Sequence, residues 1–227
     1  VDVLHDFIQS RLNKYNDHSN DPNINALSGL SPYLRFGQIF AKTAALKVMK
    51  SSADELSKQS FLEQIIVRKE LADNFCYFCK DYDNIGCAPD WAMQTLDIHR
   101  TDKREFIYSL NEFENSLTHD DLWNAAQKQM VKTGIMHSYL RMYWAKKIFE
   151  WTLSPEQAIE FAIYLNDKYS LDGRDPNGYT GIMWSICGIH DRAWQERPVF
   201  GKIRYMNYNG CKRKFDVIKY INSISEL

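Results

Sequence analysis

Apolar residues recur at helical spacing along most of this chain and almost nowhere at the alternating spacing of a strand. In residues 1–16, Leu4, Phe7, Ile8, Leu12 and Tyr15 fall on one stripe. Residues 61–78 repeat the pattern with Leu62, Ile65, Ile66, Leu71 and Phe75, which leaves Arg68, Lys69 and Asp73 on other faces. Residues 135–151, IMHSYLRMYWAKKIFEW, form the most aromatic segment. Start signals divide the remainder. Ser31-Pro32 predicts a helix with Ser31 as N-cap and Pro32 in its first turn, running to about residue 50. Polar loops are expected over 51–60 and 81–91, and two short helices over 91–110. Thr118 as cap, with Asp121 three residues on, predicts a helix carrying Trp123, Ala126 and Met130 on one face and ending near Gly134. Ser154-Pro155-Glu156-Gln157 predicts a capping box and a helix to about residue 169. The sum is an all-α fold.

The helical pattern breaks most sharply at Asp172-Gly173-Arg174-Asp175-Pro176-Asn177-Gly178, where Pro176 is expected to end any entering helix. The apolar run Ile182-Met183-Trp184-Ser185-Ile186-Cys187 comes at once after it. Charges beside such a run are costly unless partnered. Either Asp and Arg pair with each other in a capped loop, or a polar ligand supplies the partner. The Ser31 helix start is open in the same way: a plain capped helix, or outward-facing N–H groups that hold an anion.

Composition excludes disorder, since 44% of the 227 residues are hydrophobic. A net charge of −1 means that any affinity for nucleic acid must come from a local patch. Residues 192–219 supply one candidate. Arg192, Arg197, Lys202, Arg204, Lys212, Arg213, Lys214 and Lys219 stand against Glu196 and Asp216, a balance of eight minus two, +6, with aromatics interleaved. A solvated surface explains that charge equally well. Residues 205–211 have little helical periodicity and read as an ordered loop able to enter a groove. Of the five Cys, Cys76 and Cys79 form a CxxC with no second pair at zinc spacing. They read as buried thiols of a reducing, intracellular compartment, nucleus or cytoplasm. No apolar run reaches the length of a membrane span.

Asp172-Gly173-Arg174-Asp175-Pro176-Asn177-Gly178-Tyr179, followed by Met183-Trp184-Ser185-Ile186-Cys187-Gly188-Ile189-His190-Asp191, resembles the C-terminal flavin-binding domain of class II cyclobutane pyrimidine dimer photolyases. The resemblance covers nearly the whole chain. It implies a single helical, photolyase/cryptochrome-type domain over residues 1–227, without the α/β antenna domain that precedes it in the family. It implies FAD as cofactor, with the Ser28-to-Pro32 segment cradling the diphosphate. Tyr15, Leu27, Ser28, Leu30, Ser31, Arg68, Arg141, Asn166, Asp172, Arg174 and Asp191 are the implied cofactor residues. Of these, Arg141 and Asp172 would be an ion pair beside the isoalloxazine, and Asn166 would lie near flavin N5.

Trp144 and Trp151 are seven residues apart, one helical face and roughly 10.5 Å along the axis. That is too far for ring contact, so a third ring such as Trp123 must lie between them if they are to communicate. Core packing alone would also place Trp on such a stripe. By the resemblance these three are the electron-transfer tryptophans, with Trp144 nearest the flavin, Trp123 intermediate, Trp151 reaching the surface, and Tyr108 a candidate terminal donor. Met142 and Trp184 would wall the pocket for an extruded dimer. Arg192, Lys212 and Arg213 would contact DNA, and Arg204 would plug the gap left in the duplex. Where the family has a lesion-contacting carboxylate this chain has Gln64, preceded by Glu63. Gln can hydrogen-bond a pyrimidine but brings no negative charge.

The activity so implied is light-driven repair of pyrimidine dimers in double-stranded DNA by electron transfer from reduced FAD, by a monomer. Two alternatives stay open: a cryptochrome-type light sensor without repair, and a cofactor-free helical module that binds nucleic acid.

Overall fold

The computed structural model describes residues 2–227. Its first helical stretch is α1 (Asp2–Asp6), a π-helical turn over Phe7–Arg11, a 3-10 turn over Leu12–Lys14, and α2 (Tyr15–His18). Then come α3 (Ser31–Arg35), α4 (Ala41–Met49) and α5 (Glu55–Leu62). A second π-helical stretch, Glu63–Arg68, leads directly into α6 (Lys69–Phe78). After α7 (Asp90–Ile98) and the short α8 (Leu110–Glu114) come the four long helices α9 (Asp121–Thr133), α10 (Ser138–Glu150), α11 (Pro155–Tyr169) and α12 (Pro176–Cys187). The short α13 (Tyr208–Lys212) and α14 (Val217–Ser225) complete the chain. Among the described residues the only β pairing is an isolated bridge between Arg197 and Gly201. The all-α reading therefore holds.

Two apolar clusters organise the helices. The smaller contains Leu4, Phe7, Leu12, Tyr15, Leu30, Ala44, Val48, Phe61 and Ile65. The larger is built on α9, α10, α11 and α12, with α14 packed on α9. Helix α12 lies against α6, α10 and α11, so the segment after the Asp-Gly-Arg-Asp turn sits at the centre of the molecule.

Several local expectations change for identifiable reasons. Residues 61–78 are continuous helix, but the buried positions are Phe61, Ile65 and Ala72, while Ile66 and Leu71 are exposed. The π-helical turn adds a residue to the ladder and rotates the helix beyond it, so a strict 3.6 pattern loses phase there. Ser31 is the first helical residue, not the cap; Leu30 flanks the helix and no side chain caps it. The helix expected to residue 50 is broken after Arg35, where Gly37 takes φ +66°. Part of the expected 51–60 loop is helix, because Asp54 accepts the Ser57 N–H at 2.9 Å. Residues 91–110 hold α7 and then irregular chain up to the start of α8. Asp120 rather than Thr118 caps α9, accepting the Trp123 N–H at 2.8 Å; Thr118 is bonded to Asn124 instead. Pro176 opens α12 under an Asp175 cap instead of ending a helix. Within the expected 205–211 loop, α13 starts at Tyr208, capped by Asn207. Cys76 and Cys79 are half-buried, not buried.

Helix α12 stops at Gly188, which has φ +69° and whose missing Cβ would lie 2.7 Å from the Trp91 ring. Both the backbone sign and the ring demand glycine. Gly188→Ala should therefore lower stability by about 1–3 kcal/mol, read as a reduced urea midpoint at unchanged slope.

Candidate functional site

Two sequence-distant motifs meet in the first part of the site. The Arg35 guanidinium, at the end of α3, donates from Nε to the Gly173 carbonyl at 3.0 Å. This joins the segment carrying Ser28, Leu30 and Ser31 to the loop carrying Asp172 and Arg174. Asp172 is buried and accepts from Arg141 Nη2 on α10 at 2.7 Å. The pair expected from the sequence is thus formed. Asn166 on α11 is buried, with Nδ2 donating to Asp167 at 3.0 Å. A Cβ on Gly178 would come within 3.0 Å of that same Nδ2, so the glycine leaves room beside the amide. Arg174 is exposed at φ +61°, its N–H held by Asp167 at 2.8 Å. Ser28 Oγ accepts the Leu30 N–H at 3.3 Å, and Leu27 offers its carbonyl to Arg11 at 2.7 Å.

This donor set fits FAD. The uncapped start of α3 and the Ser28 and Ser31 hydroxyls suit a diphosphate. A guanidinium neutralised by Asp172, together with a buried carboxamide, suits a ring edge bearing carbonyls and nitrogens. Tyr15 sits differently from the rest. It packs between Phe7 and Phe61 at 5.9 and 5.5 Å, and burial pushes its phenol up to about 12.

The second part is a chain of rings. Trp144 and Trp123 stack at 6.3 Å with planes 7° apart, and Trp123 meets Trp151 at 6.3 Å in a T-shape. Trp123 thus lies between the two rings that the seven-residue spacing keeps apart. Trp123 Nε1 donates to the Trp144 carbonyl at 3.0 Å, and Trp144 Nε1 donates to Gln127 at 2.9 Å, which fixes both rings. Contrary to expectation, Trp151 does not reach the surface; it is 3% exposed. Tyr108, Phe113 and His119 cover it, at 5.8, 6.5 and 4.8 Å. Tyr108 and His119 come from irregular chain on either side of the short α8, which carries Phe113, and periodicity does not address such chain.

The third part surrounds Trp184. This half-buried ring has the Lys146 amine 4.4 Å from its centroid and the Arg204 guanidinium at 5.3 Å. Arg204 grips Asp191 through two bonds of 2.9 Å and lies 4.1 Å from the centre of the Trp194 ring. Asp191, expected at the cofactor, is thus engaged by Arg204 in the Trp184 cluster. Met142 is half-buried on α10. Arg192, Lys212 and Arg213 are exposed, with Arg192 over Trp194 and Lys212 over Tyr208. Gln64 and Arg68 lie on the exposed side of the π-helical stretch Glu63–Arg68, and Arg68 pairs with Glu63 at 3.2 Å. Burial first, and then the Arg68 charge, hold the His190 imidazole below its ordinary range.

Nothing in the residue pattern singled out Arg35, Gln127 or Lys146. Lys146 looks like one of two solvated lysines in tandem, yet it is fully buried, its Nζ donating to the Ser185 carbonyl at 3.0 Å. Only its neighbours Tyr143, Trp144, Ala145, Ile148 and Phe149 on the same helix hint at this.

No family model matches the chain. It is similar to deoxyribodipyrimidine photo-lyases: 58% identical over 224 residues to that of Potorous tridactylus, covering 98% of this chain and 42% of the relative. The Oryza sativa subsp. japonica protein is 57% identical over 223 residues, 97% of this chain and 44% of the relative. The Methanothermobacter thermautotrophicus protein is 50% identical over 227 residues, 100% of this chain and 50% of the relative. The chain thus spans half or less of the length of these relatives. In fold it resembles a class III photolyase from Agrobacterium tumefaciens, at a TM-score of 0.75 and 19% identity over 99% of this chain and 44% of that one.

Burial lowers the Lys146 amine from 10.5 to about 7, against a raising effect of Asp191 and alongside a lowering effect of Arg204. Between about pH 7 and 10.5 the unfolded chain holds a proton there that the folded chain has lost, so stability rises with pH across this window. Lys146→Met should flatten that rise by on the order of 2 kcal/mol between about pH 7 and pH 9. Denaturant titrations of both proteins at each pH provide the comparison.

Proposed function

The chain belongs to the deoxyribodipyrimidine photo-lyase family, in its class II cyclobutane pyrimidine dimer group, and from that membership we propose that the whole protein repairs pyrimidine dimers in double-stranded DNA using light and FAD. The observation that carries the reading is the convergence on α10: Arg141, Met142, Trp144 and Lys146 serve three neighbouring clusters from one helix. When bound, reduced FAD would supply the light-driven electron that opens the cyclobutane ring. The residues' task is to place, reduce and isolate it.

In this reading Ser28, Leu30, Ser31, Arg68 and Arg174 bind the cofactor's charged and polar parts, with Leu27 and Tyr15 shaping the wall. Arg141 and Asp172 present a neutral pair to the ring, and Asn166 faces its central nitrogen. Trp151, Trp123 and Trp144 relay electrons inward in that order, so that a flavin in the oxidised state becomes competent. An extruded dimer stacks on Trp184 beside Met142 and Gln64, in a site that must be emptied of water. Gln64 can donate to a pyrimidine carbonyl through its carboxamide. Arg192, Lys212 and Arg213 contact phosphates, and Arg204 with Trp194 fills the duplex gap. The protein acts as a monomer where DNA is, in the nucleus or cytoplasm. The irregular, aromatic-rich 192–206 stretch beside Trp184 favours repair over a sensor role, which would not need a lesion wall. Among the described residues, no helix is long and apolar enough to cross a membrane.

Blue-light repair of a dimer-containing duplex by the full-length protein is the direct test, and a protein that binds FAD but repairs nothing is the sensor. Asp172→Ala should leave Arg141 without its partner, cost roughly 1–3 kcal/mol and strip flavin, seen as loss of yellow colour on purification. A stable, yellow D172A protein would remove Asp172 from the cofactor site. Trp184→Ala should weaken binding of damaged duplex by about 1–3 kcal/mol and leave undamaged duplex unaffected. Equal losses on both would make Trp184 a core filler.

A further inference from the structure

Trp151 is sealed from solvent, so an electron entering by the tryptophan chain needs a donor beyond it. Tyr108 is tied there twice. Its backbone N–H donates to the Trp151 carbonyl at 3.0 Å, and its ring meets the indole at 5.8 Å. Its hydroxyl is bonded to His119 on both sides. The His119 backbone N–H donates to the phenol oxygen at 3.0 Å, and the phenol oxygen lies 2.7 Å from His119 Nδ1. With the oxygen accepting from the backbone, the phenol can donate to Nδ1 in the tautomer whose ring hydrogen is on Nε2. Phe106 stacks on the imidazole at 3.8 Å and fixes its plane, while His119 itself is exposed.

A phenol is hard to oxidise unless its proton leaves with the electron, and a hydrogen-bonded base within reach removes that obstacle. The geometry points to His119 as the proton acceptor that makes Tyr108 the terminal donor of this chain. The inference rests on the proposed Trp144–Trp123–Trp151 path, with the photoexcited, oxidised flavin as the ultimate oxidant. The step balances. Oxidised Trp151, a radical cation, takes one electron from Tyr108. The Tyr108 O–H bond breaks and its proton bonds to His119 Nδ1. The products are neutral Trp151, a neutral tyrosyl radical and an imidazolium. The imidazolium can pass the Nε2 proton to water, which leaves a neutral Nδ1–H, a far weaker acid, beside the tyrosyl oxygen and so disfavours the reverse transfer. The Lys147 ammonium, 5.5 Å from the centre of the Trp151 ring, adds to the bias by disfavouring positive charge on that indole, an effect moderated by its pairing with Glu150.

The test is flash photolysis with EPR detection on the full-length, FAD-loaded protein, comparing wild type with His119→Phe and Tyr108→Phe. Phenylalanine at 119 keeps an aromatic ring between Phe106 and Trp151 and removes only the acceptor. Wild type should give a tyrosyl radical whose formation slows about two-fold or more in D2O. H119F should give a tryptophan radical that persists and returns its hole to the flavin, with the tyrosyl yield down roughly ten-fold, as in Y108F. In the dark, the 15N shift of His119 Nδ1, with or without flavin bound, should show an acceptor nitrogen, and this should survive in Trp144→Phe. Unchanged tyrosyl formation in H119F, a wild type that stops at tryptophan radicals, or a protonated Nδ1 in the dark would each overturn the proposal while leaving the tryptophan path intact. A wild type with no tryptophan or tyrosyl radical, or W144F with normal radical yield, would instead overturn the path and the step together.

Discussion

Every residue of α10 from Tyr143 to Phe149 is buried, although two of them are lysines. Over that stretch the helix has no solvated face on which to leave a charge, so each polar group there must end on a partner. Arg141 ends on Asp172, Lys146 on the Ser185 carbonyl and the Trp184 ring, and Lys147 on Glu150 among three aromatic rings. These partners lie on the loop before α12, on α12 itself and on α10's own last turn. Desolvation of one helix therefore dictates where its neighbours must present acceptors, and these acceptors lie in or beside the three candidate clusters. Tyr143 obeys the same rule, its hydroxyl ending on Asp120, the residue that also caps α9 and so sets the start of the helix bearing Trp123.

How much the sequence disclosed depends on how local the determining physics is. The Trp144–Trp151 spacing is a property of one helix, and helical rise alone showed that these two rings cannot touch and that a third could lie between them. The Arg141–Asp172 pair came from a family motif. Trp151's burial could not be foreseen, because it depends on Tyr108 and His119, which arrive through irregular chain. Ser31 failed as a cap because Leu30 already has a helical backbone, at φ −87° and ψ −13°, and a cap needs an extended one. Thr118 lost to Asp120 because two good capping residues stood two apart, and only tertiary bonds to Asn124 and Tyr143 separate them. Lys146 illustrates the opposite limit: a charge inside a helix is normally evidence for a solvated face, and here the surroundings override it.

The smaller apolar cluster and the larger one share few polar ties among the described residues, and the Arg35–Gly173 bond is one that spans them. Both the candidate diphosphate segment and the Asp172 loop border this seam. The site is thus a product of two packings brought into register, in which neither supplies a full set of donors alone.

The π-helical stretch Glu63–Arg68 sits where α5 passes into α6. Because it holds one residue more than regular helix would need, side-chain chemistry is not the only thing the segment encodes; its length is a coordinate as well. Shortening it by a single residue would turn the two flanking helices by about 100° relative to each other. That would carry Gln64 or Ala72 to the wrong side with every residue type unchanged. The segment is therefore constrained in its residue count as well as in its residue types, a constraint that comparing amino-acid identities alone would pass over.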